Sequence, residues 1–411
     1  MLSRRNFLSS AAGALALGAV AGCGPLSGSP DGPASPADPT TSTTTGPTTS
    51  TTAGPTAAAG TLPVSVVNNT GRFASGQISL CVVGTDLTTG GQVYLDAAGN
   101  PHPVAEAPVD GDGNAQIAIP FSTSGATALA LPHMSGRIYV ALDDTLKMKV
   151  VTDGNGNAAF AYPAGWVEGD PNYAVLHDCV EFTHNDAGMF TNTTMVDMLS
   201  VPMAITLEGA QSQTTGRLVD GGRDAIFAAV AAQEGFADLV VDGVRVIAPG
   251  HGLDAGRFSP TYLDPYVAEV WAAYQGTDLR VTTNAGTFTG RVQGDALAFD
   301  GGVTPIARPT TRDVLFCDGA LVAPNDGLSG PVAAIVAAGL NRSALVGQPD
   351  QPVTDPAAYY GTPITNHYAR ILHEHTVDGK AYGFAFDDVC EHASYIQDTA
   401  PTAFTVELTP F

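Results

Sequence analysis

The sequence predicts a mixed β and α/β chain in two lobes, a β sandwich or barrel followed by a mixed α/β lobe. Three observations carry this. Short alternating apolar segments, broken by Gly and Asn turns, occupy the first half of residues 63–411. Amphipathic helical patterns interleaved with strand-like runs occupy much of the rest. The roughly 350 residues involved are enough for a substantial core divided into two subdomains. The β lobe is expected mainly over 63–210 with C-terminal strands added, and the α/β lobe mainly over 211–380. A cleft between two lobes is a common place for a ligand.

The first strand is read at Leu62 to Val67, alternating around Val64 and Val66, with a turn at Asn68-Asn69-Thr70-Gly71. Gln77 to Val83 follows as a second strand. Ile138, Val140 and Leu142 form one alternating set, Leu146, Met148 and Val150 another, and Asp143-Asp144 marks the bend between them. Such short strands argue for a sandwich or barrel.

In the second half, Asp264-Pro265 reads as a helix start, and Leu263, Val267, Val270, Trp271 and Tyr274 share one face up to Gly276. Asp326 precedes a helix carrying Leu328, Val332, Ile335, Val336 and Leu340, and another helix covers Arg223 to Glu234. Strand-like segments lie around Val244 to Ile247, Leu279 to Thr282 and Val314 to Phe316.

The N-terminus predicts export. Arg4 and Arg5 precede Asn6-Phe7-Leu8 and an Ala- and Gly-rich apolar run, the pattern of a twin-arginine signal peptide over residues 1–22. The run is too short and Gly-rich for a membrane span. It ends in Val20-Ala21-Gly22-Cys23, so Cys23 is the expected lipidation site and the only attachment to the membrane. Residues 23–62 are almost entirely Ser, Thr, Pro, Gly and Ala. They cannot offset their chain entropy by burial and are read as an extended linker.

A formal charge of −23 argues against a nucleic-acid partner and against anionic lipid headgroups. An uncharged polysaccharide meets no such objection. Beyond Cys23, the cysteines Cys81, Cys179, Cys317 and Cys390 permit three pairings outside the cell, and no Cys-x-x-Cys is present. Asp110-Gly111-Asp112 and Asp153-Gly154-Asn155 open like calcium loops, but Ala115 and Ala158 stand where Gly is required, so both read as hairpin turns. His373-Glu374-His375 is a poor metal pair, because helical residues two apart diverge. No metal and no cofactor is expected, and the domain is expected to be monomeric.

The segment from Asp170 to Asp197 is dense in carboxylates, amides and hydroxyls beside Phe182 and Phe190. Sugars need that mixture: hydrogen bonds for hydroxyls, flat apolar surfaces for C–H faces. Glycosidic hydrolysis needs one protonated carboxyl and one ionised carboxyl. A polar loop between strands would have a similar composition, and composition alone favours that plainer reading.

The run Glu181-Phe182-Thr183-His184-Asn185-Asp186-Ala187-Gly188, with Val196-Asp197-Met198 placing an Asp sixteen residues after the Glu, resembles the β-1,3-glucanases of glycoside hydrolase family 64. Val83-Gly84-Thr85-Asp86-Leu87, Ser135-Gly136-Arg137-Ile138-Tyr139, Tyr262-Leu263-Asp264-Pro265-Tyr266, Asn366-His367-Tyr368 and Gly379 to Asp388 agree, and the resemblance covers nearly all of 62–411. It implies a thaumatin-like β lobe and an α/β lobe flanking a wide groove. It also implies inverting, metal-free hydrolysis of β-1,3-glucan to short laminari-oligosaccharides, typically pentasaccharides. Glu181 falls at the general-acid position and Asp197 at the general-base position. Asp170, Thr183 and Asn185 fall at glucan-contact positions, and Phe190, Thr194, His367 and Asp388 are further expected contacts.

The chain also departs from the family pattern. Cys179 replaces a usual tryptophan, and Phe190, with less stacking area, replaces another. The usual partner of Cys317 is absent, with alanines near 337 and 338. By resemblance Asp388 is expected on a strand beside Glu181. A Cys179–Cys390 disulfide is therefore expected, with Cys81 and Cys317 as competing partners. The rival to a hydrolase is a glucan-binding surface lipoprotein without turnover. Retention of both carboxyls in register favours the enzyme, since binding alone requires neither a proton donor nor a base.

Overall fold

The computed structural model describes residues 60–411 apart from residue 242. The predicted leader, Cys23 and the linker up to residue 59 lie outside the described residues. Leu62, the last residue of the predicted linker, is already the first of the strand Leu62–Asn68. Among the described residues no helix is long and apolar enough to cross a membrane.

Two sheets build the β-rich part. The five-stranded sheet runs in the order Ser212–Thr215, Met203–Glu208, Ala403–Leu408, Leu62–Asn68, Ala126–Leu131. The eight-stranded sheet runs Tyr395–Asp398, Gly188–Asn192, Leu176–Asn185, Met134–Leu142, Ile78–Asp86, Gln92–Leu95, Pro101–Pro103, with Ile119–Pro120 also on Ile78–Asp86. Period-two alternation decides what each face meets. Val82, Ile138, Val180 and Phe182 point from the large sheet into a core shared with Val64, Ile205, Phe404 and Val406 of the smaller one. On the opposite face, Cys81, Val83, Tyr139 and Cys179 form a second core with Met148 and Phe160. Burying each large apolar side chain contributes about 1.5–3 kcal/mol.

The third core belongs to the α/β part. There a five-stranded sheet, in which Leu279–Thr283 pairs antiparallel with Gly286–Gln293 and parallel with Asp350–Gln351, packs with the helices Gly222–Ala232, Asp264–Gly276, Ser329–Asn341 and His367–Glu374. The Asp264 helix forms where Pro265 and the apolar face place it, burying Val267, Val270, Trp271 and Tyr274. Buried arginines join the two parts through backbone carbonyls. Arg245, fully buried, donates to Tyr173 O (2.9 Å) and Val175 O (2.6 Å). Arg223 donates to Ser200 O (2.7 Å) and Gly243 O (2.6 Å).

Four readings are corrected. Val314 to Phe316 lies in the helix Thr311–Phe316, because Thr310 and Asp313 form a reciprocal capping box that overrides the strand-like apolar run. Leu146 and Met148 are buried, but only Lys149–Thr152 joins a ladder, with Ala158–Ala161 across the Asp153 turn. Asp388 precedes a 3₁₀ turn, Val389–Glu391, rather than lying on a strand. The Cys179–Cys390 disulfide does not form. Cys179 is a free, buried thiol in the core beneath Tyr139, whereas Cys390 packs against the α/β core.

Candidate active site

Glu181 sits in the middle of the strand Leu176–Asn185, whose partners are Met134–Leu142 on one side and Gly188–Asn192 on the other. The hairpin between the latter strands closes at Asn185 to Gly188. Asn185 Oδ1 accepts from Ala187 N at 2.8 Å, and Gly188 has φ +130°. A Cβ at Gly188 would lie 2.1 Å from Asp398 O, so only glycine fits there. The resulting register places Arg137, Glu181 and Asn192 in one cross-strand row, and Ser135, Thr183 and Phe190 in the next. Paired residues share a face, so all six lie on the side away from Val180 and Phe182.

Arg137 donates to Glu181 Oε1 from Nε (3.0 Å) and from Nη2 (2.7 Å), and Nη1 reaches Tyr139 OH at 3.1 Å. Glu181 Oε2 has a long contact, 3.4 Å, from Asn192 Nδ2. The pair is largely shielded, with 18 % of Arg137 and 27 % of Glu181 exposed. Burial works against the Arg137 charge, but Tyr139, Glu181, Cys179 and Asp197 around it more than offset this and push its pKa well up. One permanent cation therefore lies within reach of both predicted catalytic carboxyls.

Asp197 is held differently, at the end of an irregular segment between strands. Thr193 N donates to Ser394 O (3.1 Å) and Met195 N to Tyr382 O (2.9 Å), which pins this segment to the C-terminal part of the chain. The next segment grips Asp197 twice. Ala248 N donates to Asp197 O at 3.0 Å, and His251 Nε2 lies 2.7 Å from Asp197 Oδ1. The His251 ring is fixed by Trp166, stacked at 4.1 Å and 23°, and by the edge of Phe316. A small cavity reaches between the two environments, lined among others by Arg137, Tyr139, Trp166, Thr194, Asp197 and Met198.

The structure thus gathers Glu181, Thr183, Asn185 and Phe190 on one hairpin, with Thr183 hydrogen-bonded to Ser135 (2.8 Å), and brings Thr194 and Asp197 to the same cavity. Asp170 serves its own loop. Its oxygens accept from Ala164 N (3.2 Å), Asn172 N (2.8 Å) and Asn172 Nδ2 (2.8 Å), which holds the loop carrying Trp166. Asp388 stands next to Asp387 at the start of the 3₁₀ turn, and no contact joins it to Glu181 among the described residues. Burial raises Asp388, to about 6. His367 falls elsewhere: it is buried against Phe236, with Nε2 on Pro363 O (3.1 Å) and Nδ1 accepting from Arg370 (3.1 Å).

Arg137, Asn192, His251 and Trp166 carry no role in the sequence reading. Arg137 left a signal, a charged residue inside an apolar strand. His251 left none, because the fold alone brings it to a carboxylate 54 positions away.

The family model described as β-1,3-glucanase, glycoside hydrolase family 64, matches residues 60–408. The chain belongs to this family. A glucan endo-1,3-beta-glucosidase of Cellulosimicrobium cellulans is 35 % identical over 367 residues, covering 85 % of this chain and 65 % of the relative. The chain thus spans about two thirds of that relative's length. Among solved family structures, a laminaripentaose-producing β-1,3-glucanase in complex with laminaritetraose is 36 % identical. It superposes with a TM-score of 0.78 over 86 % of this chain and 99 % of its own. A β-1,3-glucanase domain from Clostridium beijerinckii is 26 % identical, with a TM-score of 0.76 over 87 % of this chain and 100 % of its own. The β-rich architecture with several sheets and few helices is therefore the family's.

Proposed function

We propose that this chain hydrolyses β-1,3-glucan by inversion, with Glu181 as general acid and Asp197 as general base. The observation that carries this is a pair of differently held carboxyls, Glu181 bonded to Arg137 and Asp197 lining a cavity with Arg137, in a family whose related enzymes are named for cutting β-1,3-glucan. Glu181 gives a proton to the glycosidic oxygen as the C1–O bond breaks and its electron pair moves to that oxygen. Water attacks C1 from the opposite face and loses its proton to Asp197. Inversion calls for a carboxyl separation of roughly 6.5–9.5 Å, with room for the water. Arg137 draws Oε1 away from the sugar and leaves Oε2 to work, while the polar row of Thr183, Asn185 and Ser135 offers hydrogen bonds to hydroxyls, with Phe190 as an apolar face.

Release of reducing ends from linear β-1,3-glucan by the purified chain tests the activity. NMR of the first product before mutarotation tests the stereochemistry. An α anomer supports inversion, and a β anomer removes Asp197 from the role of base. Glucan bound with no reducing ends released would favour the non-catalytic surface protein instead.

The same proposal includes export by the twin-arginine route, lipid attachment at Cys23 and action as a monomer. Cys23→Ala is then expected to move the protein from membranes to medium with activity intact, and continued sedimentation with membranes would contradict the anchor.

A further inference from the structure

Asn192 stands directly across from Glu181 on the neighbouring strand, and its amide is half used. Nδ2 lies 3.4 Å from Glu181 Oε2, long for a bond to a carboxylate, where about 2.7–2.9 Å is usual. Oδ1 is buried and has no hydrogen-bond partner among the described residues. A buried carbonyl oxygen left in this way is destabilising and calls for an explanation. The two ends of an amide have nearly the same shape and differ only in chemistry. If the amide turns over, Oδ1 comes to Oε2, and Nδ2 exchanges its long contact for the buried position that Oδ1 held. With an ionised Glu181 that arrangement would set two acceptors against each other. With a protonated Glu181 it supplies the acceptor that the Oε2–H requires.

We propose that Asn192 is the positioning residue of the general acid, holding the Glu181 proton on Oε2 until the glycosidic oxygen replaces it. The inference rests on the assignment of Glu181 made above and extends it to a residue that acts on the substrate only through Glu181. The division of labour follows from the contacts. Arg137 makes both of its Glu181 bonds to Oε1, so the carboxyl is oriented by one oxygen and the proton is confined to the other. Before transfer, Asn192 Oδ1 accepts from Oε2–H. After transfer, the amide turns and Nδ2 donates to the new carboxylate, the arrangement seen in the structure. One side chain thus serves both protonation states, and its orphaned oxygen is the trace of the state not shown. Strand register keeps it in place, because Asn192 is held between Glu181 and Tyr395 in the ladder.

A substrate that does not need the acid supplies the test. Dinitrophenolate departs without protonation, so a 2,4-dinitrophenyl β-laminari-oligosaccharide bypasses Glu181, whereas unsubstituted oligosaccharide does not. Asn192→Leu, similar in shape without polar atoms, is expected to lower kcat on unsubstituted β-1,3-gluco-oligosaccharide by roughly ten- to a hundredfold. KM stays unchanged and turnover of the dinitrophenyl substrate stays near wild type. Asn192→Ala, which only removes atoms, is the second variant should the leucine not fold, and the same split is expected. Equal losses on both substrates, or no loss on either, overturn the role of Asn192. Glu181→Gln measured alongside separates the two readings. If it too fails to distinguish the substrates, the assignment of Glu181 falls. If it distinguishes them and Asn192→Leu does not, only the present inference falls.

Discussion

Two arginine–carboxylate pairs show how one chemistry is put to opposite uses. Arg342–Asp387 is sealed in the α/β part, 2 % and 0 % exposed, and every oxygen of Asp387 has close donors. Arg342 Nη2 lies 3.1 Å from Oδ1, and His373 Nε2 and Gly383 N each lie 3.0 Å from Oδ2. Arg137–Glu181 is more open, and among the described residues its second carboxyl oxygen has only the long Asn192 contact. A carboxylate with donors on both oxygens and no exposed surface is closed to a substrate and acts as a structural clasp. A half-partnered one, on a sheet face with hydroxyls and an aromatic ring beside it, can exchange a proton.

The largest expected effects break this contrast from both ends. Glu181→Gln keeps the shape and loses the transferable proton. It should lower turnover on glucan by roughly 10²–10⁴-fold while binding persists, and Asp197→Asn should do likewise. Reducing-end assays and calorimetric binding of laminaritetraose check this, and a melting temperature near wild type is expected for both. Asp387→Ala should do the reverse. It strands the buried Arg342 guanidinium and is expected to cost about 3–5 kcal/mol of stability, visible as a lower Tm by scanning calorimetry. If Glu181→Gln proved the more destabilising, the distinction between clasp and acid would fail.

A smaller effect is expected at the base. His251→Ala removes the ring nitrogen beside Asp197 Oδ1 and the ring that Trp166 stacks on, so the carboxylate loses a contact that orients it. We expect kcat to fall by roughly ten- to a hundredfold with little change in KM. In contrast to Asn192→Leu, the loss should be equal on the dinitrophenyl substrate, since water activation is needed whatever the leaving group. Parallel kinetics on the two substrates check it.

How much of this was legible in the sequence depended on where each signal resides. Local signals read well: the Asp264-Pro265 start predicts its helix, and the Asp153 and Asp110 loops form the expected turns, their carboxylates accepting from Asn155 N and Asp112 N. The Val314 error was avoidable, because Thr310 and Asp313 already announce a helix start that the apolar run obscured. The Cys179–Cys390 pairing failed for a different reason. It extrapolated a strand position for Asp388 that a 3₁₀ turn occupies instead, and no local pattern shows which core a cysteine will join. His251 and Trp166 were illegible because their meaning lies in contacts that only the folded chain makes. Asn192 was intermediate: hairpin register determines its place opposite Glu181, but its unpartnered oxygen is visible only in the structure.

The smallest expected effect separates two acids that adjoin in sequence and differ in surroundings. Burial alone would raise Asp387, yet His373 and Arg342 overcome it and hold the carboxyl at about 2. Asp388 lacks such close partners, and burial raises it to about 6. The unfolded reference for both is about 3.9. Asp387, depressed in the folded state, contributes stability that is present above pH 4 and is lost as pH falls toward 2. Asp388, raised in the folded state, binds its proton more tightly when folded. Its contribution is present below pH 4 and is lost as pH rises from 4 to 6. Asp388→Asn should therefore leave stability above pH 6 unchanged or slightly higher, and should flatten the decline between pH 4 and 6. It should not alter the loss below pH 4, which belongs to Asp387. Urea midpoints measured across pH 3 to 8 for wild type and Asp388→Asn check the sign. A variant whose deficit grew as pH rose above 6 would show Asp388 to be stabilised as a carboxylate, and the two neighbours would then be alike.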